Sequence, residues 1–179
     1  HDDLPALDDD DERRGRPSAH VAFGEGVALL SGDALLTEAF SLALTYDDPG
    51  IARDLADATL GMIGGQYRDV TGDTADLAEL HRLKTGCLFV AAVRLGLDVA
   101  RVPEADRKPW IDFGDEVGLL FQIVDDLLDG DGYVQRLGAE GARRLADEVA
   151  ARAGEQLDRL GTDTTVLREL LDALTFRTG

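Results

Sequence analysis

The 179 residues suffice for one domain with a core of its own, and 44% apolar against 30% charged residues mark a globular chain. A formal net charge of -18, from 36 acids against 18 bases, argues against nucleic acid or an anionic membrane as partner. A phosphate-bearing ligand is compatible with that charge where metal ions reverse the local sign.

The chain opens on an acidic segment. Asp2, Asp3, Asp8, Asp9, Asp10 and Asp11 surround Leu4-Pro5-Ala6-Leu7, and Glu12, Arg13, Arg14, Gly15, Arg16 and Pro17 follow. A solvated acidic tail is ordinarily poor in apolar residues and unbroken. Acid suited to metal beside arginine suited to phosphate is more than solvation requires. Ser18 to Leu44 reads as one long helix, capped by Ser18 and carrying Phe23, Val27, Leu30 and Ala34 at three- and four-residue spacing. Its glycines, Gly24, Gly26 and Gly32, call for close packing in compensation. Asp47-Asp48-Pro49-Gly50 is a turn, and a second helix follows from Ile51 to Val70. In it, Gly64 and Gly65 precede Gln66-Tyr67-Arg68-Asp69; a neighbouring helix or a ligand must come close there.

A break at Thr71-Gly72-Asp73 leads to a third helix from Asp76 to Leu95, stopping at Gly96. It contains His81-Arg82-Leu83-Lys84-Thr85-Gly86, and Lys84 is one of only two lysines, the other being Lys108. The lone Cys87 excludes an internal disulfide and suits a reducing, cytoplasmic setting. His1, His20 and His81 lack the spacing of zinc ligands. Pro103 starts a fourth helix that runs past Trp110 and Phe113 into Phe121-Gln122-Ile123-Val124-Asp125-Asp126-Leu127-Leu128-Asp129. On a helix Asp125 and Asp129 share one face, with Asp126 about 100° away. Such close like charges call for a cation between them, or for water at a helix end. Gly130-Asp131-Gly132 ends that helix, and helices from Ala139 to Leu160 and from Thr165 to Phe176 close the chain. No segment alternates as a strand does, no apolar run is of transmembrane length and no signal peptide is visible. The expectation is an all-α bundle without stable membrane insertion.

These stretches, in this order, resemble the trans-type isoprenyl diphosphate synthases, the polyprenyl synthetase family. Asp2 to Pro17 is similar to its first aspartate-rich motif with trailing arginines, and Phe121 to Asp129 to its second. The segments from His20 to Phe40, Gly64 to Asp69 and His81 to Gly86 fall between them in family order. The resemblance covers the whole chain and implies one antiparallel isoprenoid-synthase-type domain, residues 1–179, around a central apolar cavity, as a homodimer. It implies a magnesium-assisted condensation of isopentenyl diphosphate with an allylic diphosphate, with three Mg2+ ions. By motif, Asp2, Asp3 and Asp8 would bind metal on one side, and Asp125 and Asp129, supported by Asp126, on the other. Arg13 and Lys84 would hold the allylic diphosphate and Arg14 the other diphosphate. Thr85 and Gln122 would face the developing cation, Phe121 would lie near the isopentenyl chain, and Gln66 and Asp69 near the cavity wall.

Two family features have no counterpart here: the basic segment upstream of the first motif, and a lysine-bearing loop after the second, where Gly130 to Tyr133 leads directly onward. They motivate a second reading, a non-catalytic subunit that modulates a partner synthase. A terpene cyclase using the same metals fits the arginine pair less well.

Overall fold

The computed structural model describes residues 1–73 and 75–176. Among the described residues the chain is all-α apart from one hairpin, and it divides into two compact units, His1–Ala52 and Arg53–Gly179.

In the first unit, residues 1–9 form successive turns, with the Leu7 N–H donating to the Leu4 carbonyl (2.8 Å) and the Asp8 N–H to the Asp2 carbonyl (3.0 Å). Strands β1 (Glu12–Arg13) and β2 (Arg16–Pro17) then pair antiparallel. This is a departure from the strand-free expectation, and a turn explains it. Arg14 and Gly15 both take positive φ, 54° and 74°, as a two-residue type I′ hairpin requires. The expected helix from Ser18 to Leu44 is likewise two, α1 (Ala19–Phe23) and α2 (Glu25–Ala43), parted at Gly24 with φ 88° and ψ 153°. Only glycine reaches that conformation without strain.

α2 also corrects the reading that no run is of transmembrane length. At 19 residues and mean hydropathy 1.3 it is long and apolar enough to cross a membrane by length and composition alone. Leu35 and Leu42 are exposed on one side of it, Leu30 on another, and Leu29 and Leu36 on a third. A helix apolar all round is the kind that a larger assembly covers.

α3 (Pro49–Val70) carries the chain into the second unit. The third expected helix is three pieces: α4 (Leu77–His81), a π-helical turn (Arg82–Gly86) and α5 (Cys87–Val99), which runs through Gly96 rather than stopping there. The Asp76 carboxylate caps α4 by accepting from the Glu79 N–H at 3.0 Å. Near Pro103 there is only a 3-10 turn, Glu104–Asp106; α6 (Lys108–Asp129) begins later, with Pro109 in its first turn. As expected, α6 ends at Gly130, which is left-handed.

α7 (Gly132–Asp158) starts earlier than expected and is interrupted at Gly138, φ 73°. α8 (Thr165–Phe176) follows. The core lies between α6 and α7. Leu120, Ile123 and Val124 meet Ala142, Ala146, Val149, Ala153 and Leu157, whose three- and four-residue spacing gives α7 a narrow apolar seam. Small residues there let the helices approach closely, which fixes where the acidic end of α6 stands within this unit.

Candidate active site

The first acidic segment is shaped by its turns. The intervening Leu-Pro-Ala-Leu folds back so that Asp8 bonds to Asp2 through the backbone. Arg13, expected to contact a diphosphate, forms a charge-assisted pair with Asp3; its Nε donates to Asp3 Oδ1 at 2.8 Å. That bond raises the Arg13 pKa above the usual guanidinium value. His1 ties the segment to α2, with Nε2 at 2.8 Å from the Leu29 carbonyl. A Cβ on Gly32 would lie 2.2 Å from that ring, so this glycine makes room for it. Arg14, at the hairpin tip, is exposed.

In the second unit the π-helical turn carries Lys84 and Thr85, both partly buried. Such turns widen a helix by one residue and re-aim its side chains. Lys84 Nζ donates to Asp69 Oδ2 at 2.6 Å, joining the turn to the end of α3 that also bears Gln66. Gly65 explains the close approach: a Cβ there would sit 2.2 Å from the Lys84 backbone nitrogen. Of the two readings of this glycine pair, helix packing is the one realised, and only at Gly65, since a Cβ on Gly64 would meet nothing within 4 Å. α6 crowds the same turn from another side, where a Cβ on Gly118 would lie 2.9 Å from the Gly86 Cα.

At the end of α6 the helical period separates three carboxylates. Asp125 and Asp129 are exposed, whereas Asp126 and Gln122 are each only 7% exposed. Phe121 packs its ring 5.5 Å from that of Phe89. Asp126 Oδ2 accepts the Tyr133 N–H at 2.7 Å, tying the end of α6 to the start of α7. Burial pushes the Asp126 carboxyl up to about 6; the Tyr133 N–H pulls it down, and Asp131 and Asp125 add repulsion. His81, at the end of α4, brings Nε2 to 3.8 Å from Asp126 Oδ1 and sets its ring edge-on to Tyr133. Burial holds its imidazole below its ordinary pKa, so it is neutral at pH 7. Sequence reasoning assigned His81 and Tyr133 no role. The signal was their place directly beside two motifs, a histidine before the lysine turn and a tyrosine after the acidic one.

Asp2, Asp3 and Asp8 thus lie in one unit with Arg13 and Arg14, and Asp125, Asp126, Asp129, Lys84, Thr85, Gln122, Phe121, Gln66 and Asp69 in the other. Among the described residues no three His, Cys, Asp or Glu side chains form a ready-made metal cage. A separate cleft of about 400 Å³ is lined by Asp54, Asp57, Arg82, Arg94 and Asp115 among others. Ala58, Val90, Ala91 and Ile111 share its lining with those charged residues, and none of the predicted site residues lines it.

Residues 1–143 match the polyprenyl synthetase family. The farnesyl diphosphate synthase of Escherichia coli (strain K12) is 38% identical over 210 residues, covering 96% of this chain and 70% of the relative. That of Bacillus subtilis (strain 168) is 33% identical, covering 99% and 71%. Among solved structures, a geranyltransferase from Legionella pneumophila superposes with a TM-score of 0.89 at 31% identity, covering 99% of this chain and 70% of that one. The 210-residue alignment exceeds the 179 residues of this chain, so the Escherichia coli protein carries internal segments without a counterpart here.

Proposed function

The chain belongs to the polyprenyl synthetase family, and on that premise we propose that it is a prenyltransferase joining isopentenyl diphosphate to an allylic prenyl diphosphate. The observation that carries this reading is a run of family motifs in order, two acidic groups, an arginine pair and a lysine-threonine turn, in a chain whose relatives are synthases. The same relatives favour a catalytic protein over a non-catalytic modulating subunit.

Departure of the allylic diphosphate leaves negative charge on its oxygens. Asp2, Asp3 and Asp8 in one unit and Asp125 and Asp129 in the other would hold magnesium, which supplies the positive charge that stabilises the leaving group. Arg13, Arg14 and Lys84 add fixed positive charge. Arg13 and Lys84 each stand in an ion pair with a carboxylate. Diphosphate would compete with Asp3 and Asp69 for them, so substrate exchanges one anion for another rather than filling a bare cation site. The Thr85 hydroxyl and the Gln122 amide oxygen, both neutral, would face the developing cation with lone pairs that do not capture it. Phe121 and Phe89 would keep water from it on one side. A homodimer belongs to this proposal too, supported by the exposed apolar surface of α2.

The test is direct. With magnesium, isopentenyl diphosphate and allylic starters of increasing length, the intact protein is expected to release inorganic diphosphate and a longer prenyl chain. Absence of product with every starter would refute the enzyme reading. Asp2→Ala and Asp125→Ala are each expected to lower turnover by orders of magnitude with the circular dichroism unchanged.

A further inference from the structure

His81 is 93% shielded from solvent by the fold around it, its exposure being 7%, and its Nδ1 is the one buried side-chain polar atom, among the described residues, left without a hydrogen-bond partner. Such an atom asks for an explanation. On its other side the ring faces Asp126, equally buried, with Nε2 at 3.8 Å from Oδ1. A neutral imidazole carries one proton, and a carboxylate attracts it to the nearer nitrogen. That tautomer puts N–H on Nε2 and leaves Nδ1 as a bare acceptor, which is the atom without a partner.

We propose that His81 is a positioning residue for the second acidic group, acting through Asp126, and that Asp126 is a strut rather than a cation ligand. The proposal rests on the reading of Asp125 and Asp129 as cation ligands. Asp126 is committed inward on several sides. Oδ2 accepts the Tyr133 N–H at 2.7 Å, and the Tyr133 ring lies edge-on to His81 with centroids 5.4 Å apart. Gly132, at φ 44°, passes so close that a Cβ there would fall 2.1 Å from Oδ2. A carboxylate enclosed in this way cannot turn to a cation outside without giving up these contacts. One residue before it and three residues after it, Asp125 and Asp129 are exposed. His81 is also the residue immediately before the π-helical turn that bears Lys84 and Thr85. One imidazole therefore braces the acidic turn from the segment that carries the lysine.

The experiment measures Mn2+ binding by electron paramagnetic resonance, with inorganic diphosphate present, on the intact protein and on His81→Phe, His81→Gln, Asp126→Asn and Asp125→Ala. Steady-state kinetics in magnesium run in parallel. Phe keeps the ring against Tyr133 and loses the N–H; Gln places a donor amide near the position of Nε2. His81→Phe and Asp126→Asn are expected to weaken Mn2+ about ten-fold, as loss of a group that orients a metal ligand does. They should raise the magnesium needed for half-maximal rate in step, with KM for isopentenyl diphosphate unchanged. His81→Gln should recover most of the loss, and Asp125→Ala should lose more than either. Wild-type Mn2+ binding by His81→Phe, or no rescue by Gln, would overturn the positioning role. A loss in Asp126→Asn equal to that in Asp125→Ala would make Asp126 a ligand and overturn the strut. Undiminished Mn2+ binding by Asp125→Ala would instead sink the metal reading itself, and this proposal with it.

Discussion

Asp126 shows how one residue can carry opposed demands. Its backbone belongs to a core helix and Asp125 beside it is exposed, so the helical period turns this carboxylate inward, where it is only 7% exposed. In the native state it titrates near 6, against 3.8 when unperturbed. Between these values the native chain binds the proton that the unfolded chain has released. The contribution to stability is therefore complete below about pH 4 and is lost as pH rises through 6. Two pKa units correspond to about 3 kcal/mol at full effect; access of water to this end of α6 reduces the expectation to roughly 2 kcal/mol. His81 acts in the other sense, because an imidazole kept neutral by burial costs stability once pH falls below its unfolded value of about 6.5. Urea midpoints measured from pH 4 to pH 7 with EDTA present should therefore fall less steeply for Asp126→Asn than for the parent chain. Parallel curves would mean that Asp126 is ionised throughout.

Among elements, the lysine turn and the paired glycines of α3 turn out to be one device. The sequence showed that something approaches Gly64-Gly65, because two helix-interior glycines are costly without a reason. It could not say which of the two is approached, since that depends on where the neighbouring helix widens by one residue. The π-helical turn supplies that widening, and its backbone lies over Gly65. Opposite effects follow for two adjacent substitutions. Gly64→Ala meets open space and should gain up to about 1 kcal/mol of helix propensity. Gly65→Ala puts its methyl into the Lys84 backbone, so either the turn or α3 must shift, at a cost of about 1–3 kcal/mol as for other overpacked sites. Chemical denaturation of both variants checks the pair, and equal midpoints would show that the turn yields freely. The breaks within α1–α2 and α4–α5 were illegible for a related reason. Apolar periodicity continues across Gly24 and across the π-helical turn, and only backbone conformation marks the interruption. Gly130 was legible because a left-handed residue after an apolar run is a local requirement.

For the whole molecule, the all-α class and every helix-bearing region could be read from periodicity and breakers, and the motifs carried the family. What covers α2 is a different matter. Its leucines recur so densely that any side could be taken for the core side, yet within this chain Leu30, Leu35 and Leu42 remain 66%, 73% and 63% exposed. Apolar area on that scale favours burial at roughly 25 cal/mol per Å². A strongly acidic chain, at -18, resists association through like charge, so a contact between two copies has to be apolar where they meet and acidic elsewhere. α2 satisfies that condition, with Asp33 and Glu38 as the only acids past its first turn. Light scattering at moderate salt is therefore expected to give twice the chain mass. Leu35→Glu combined with Leu42→Glu should halve it, because each copy would then bring new charge into the same desolvated strip. If the parent chain scatters as a monomer while these two substitutions leave its mass and its solubility unchanged, α2 is not where copies meet, and the homodimer has to be given up.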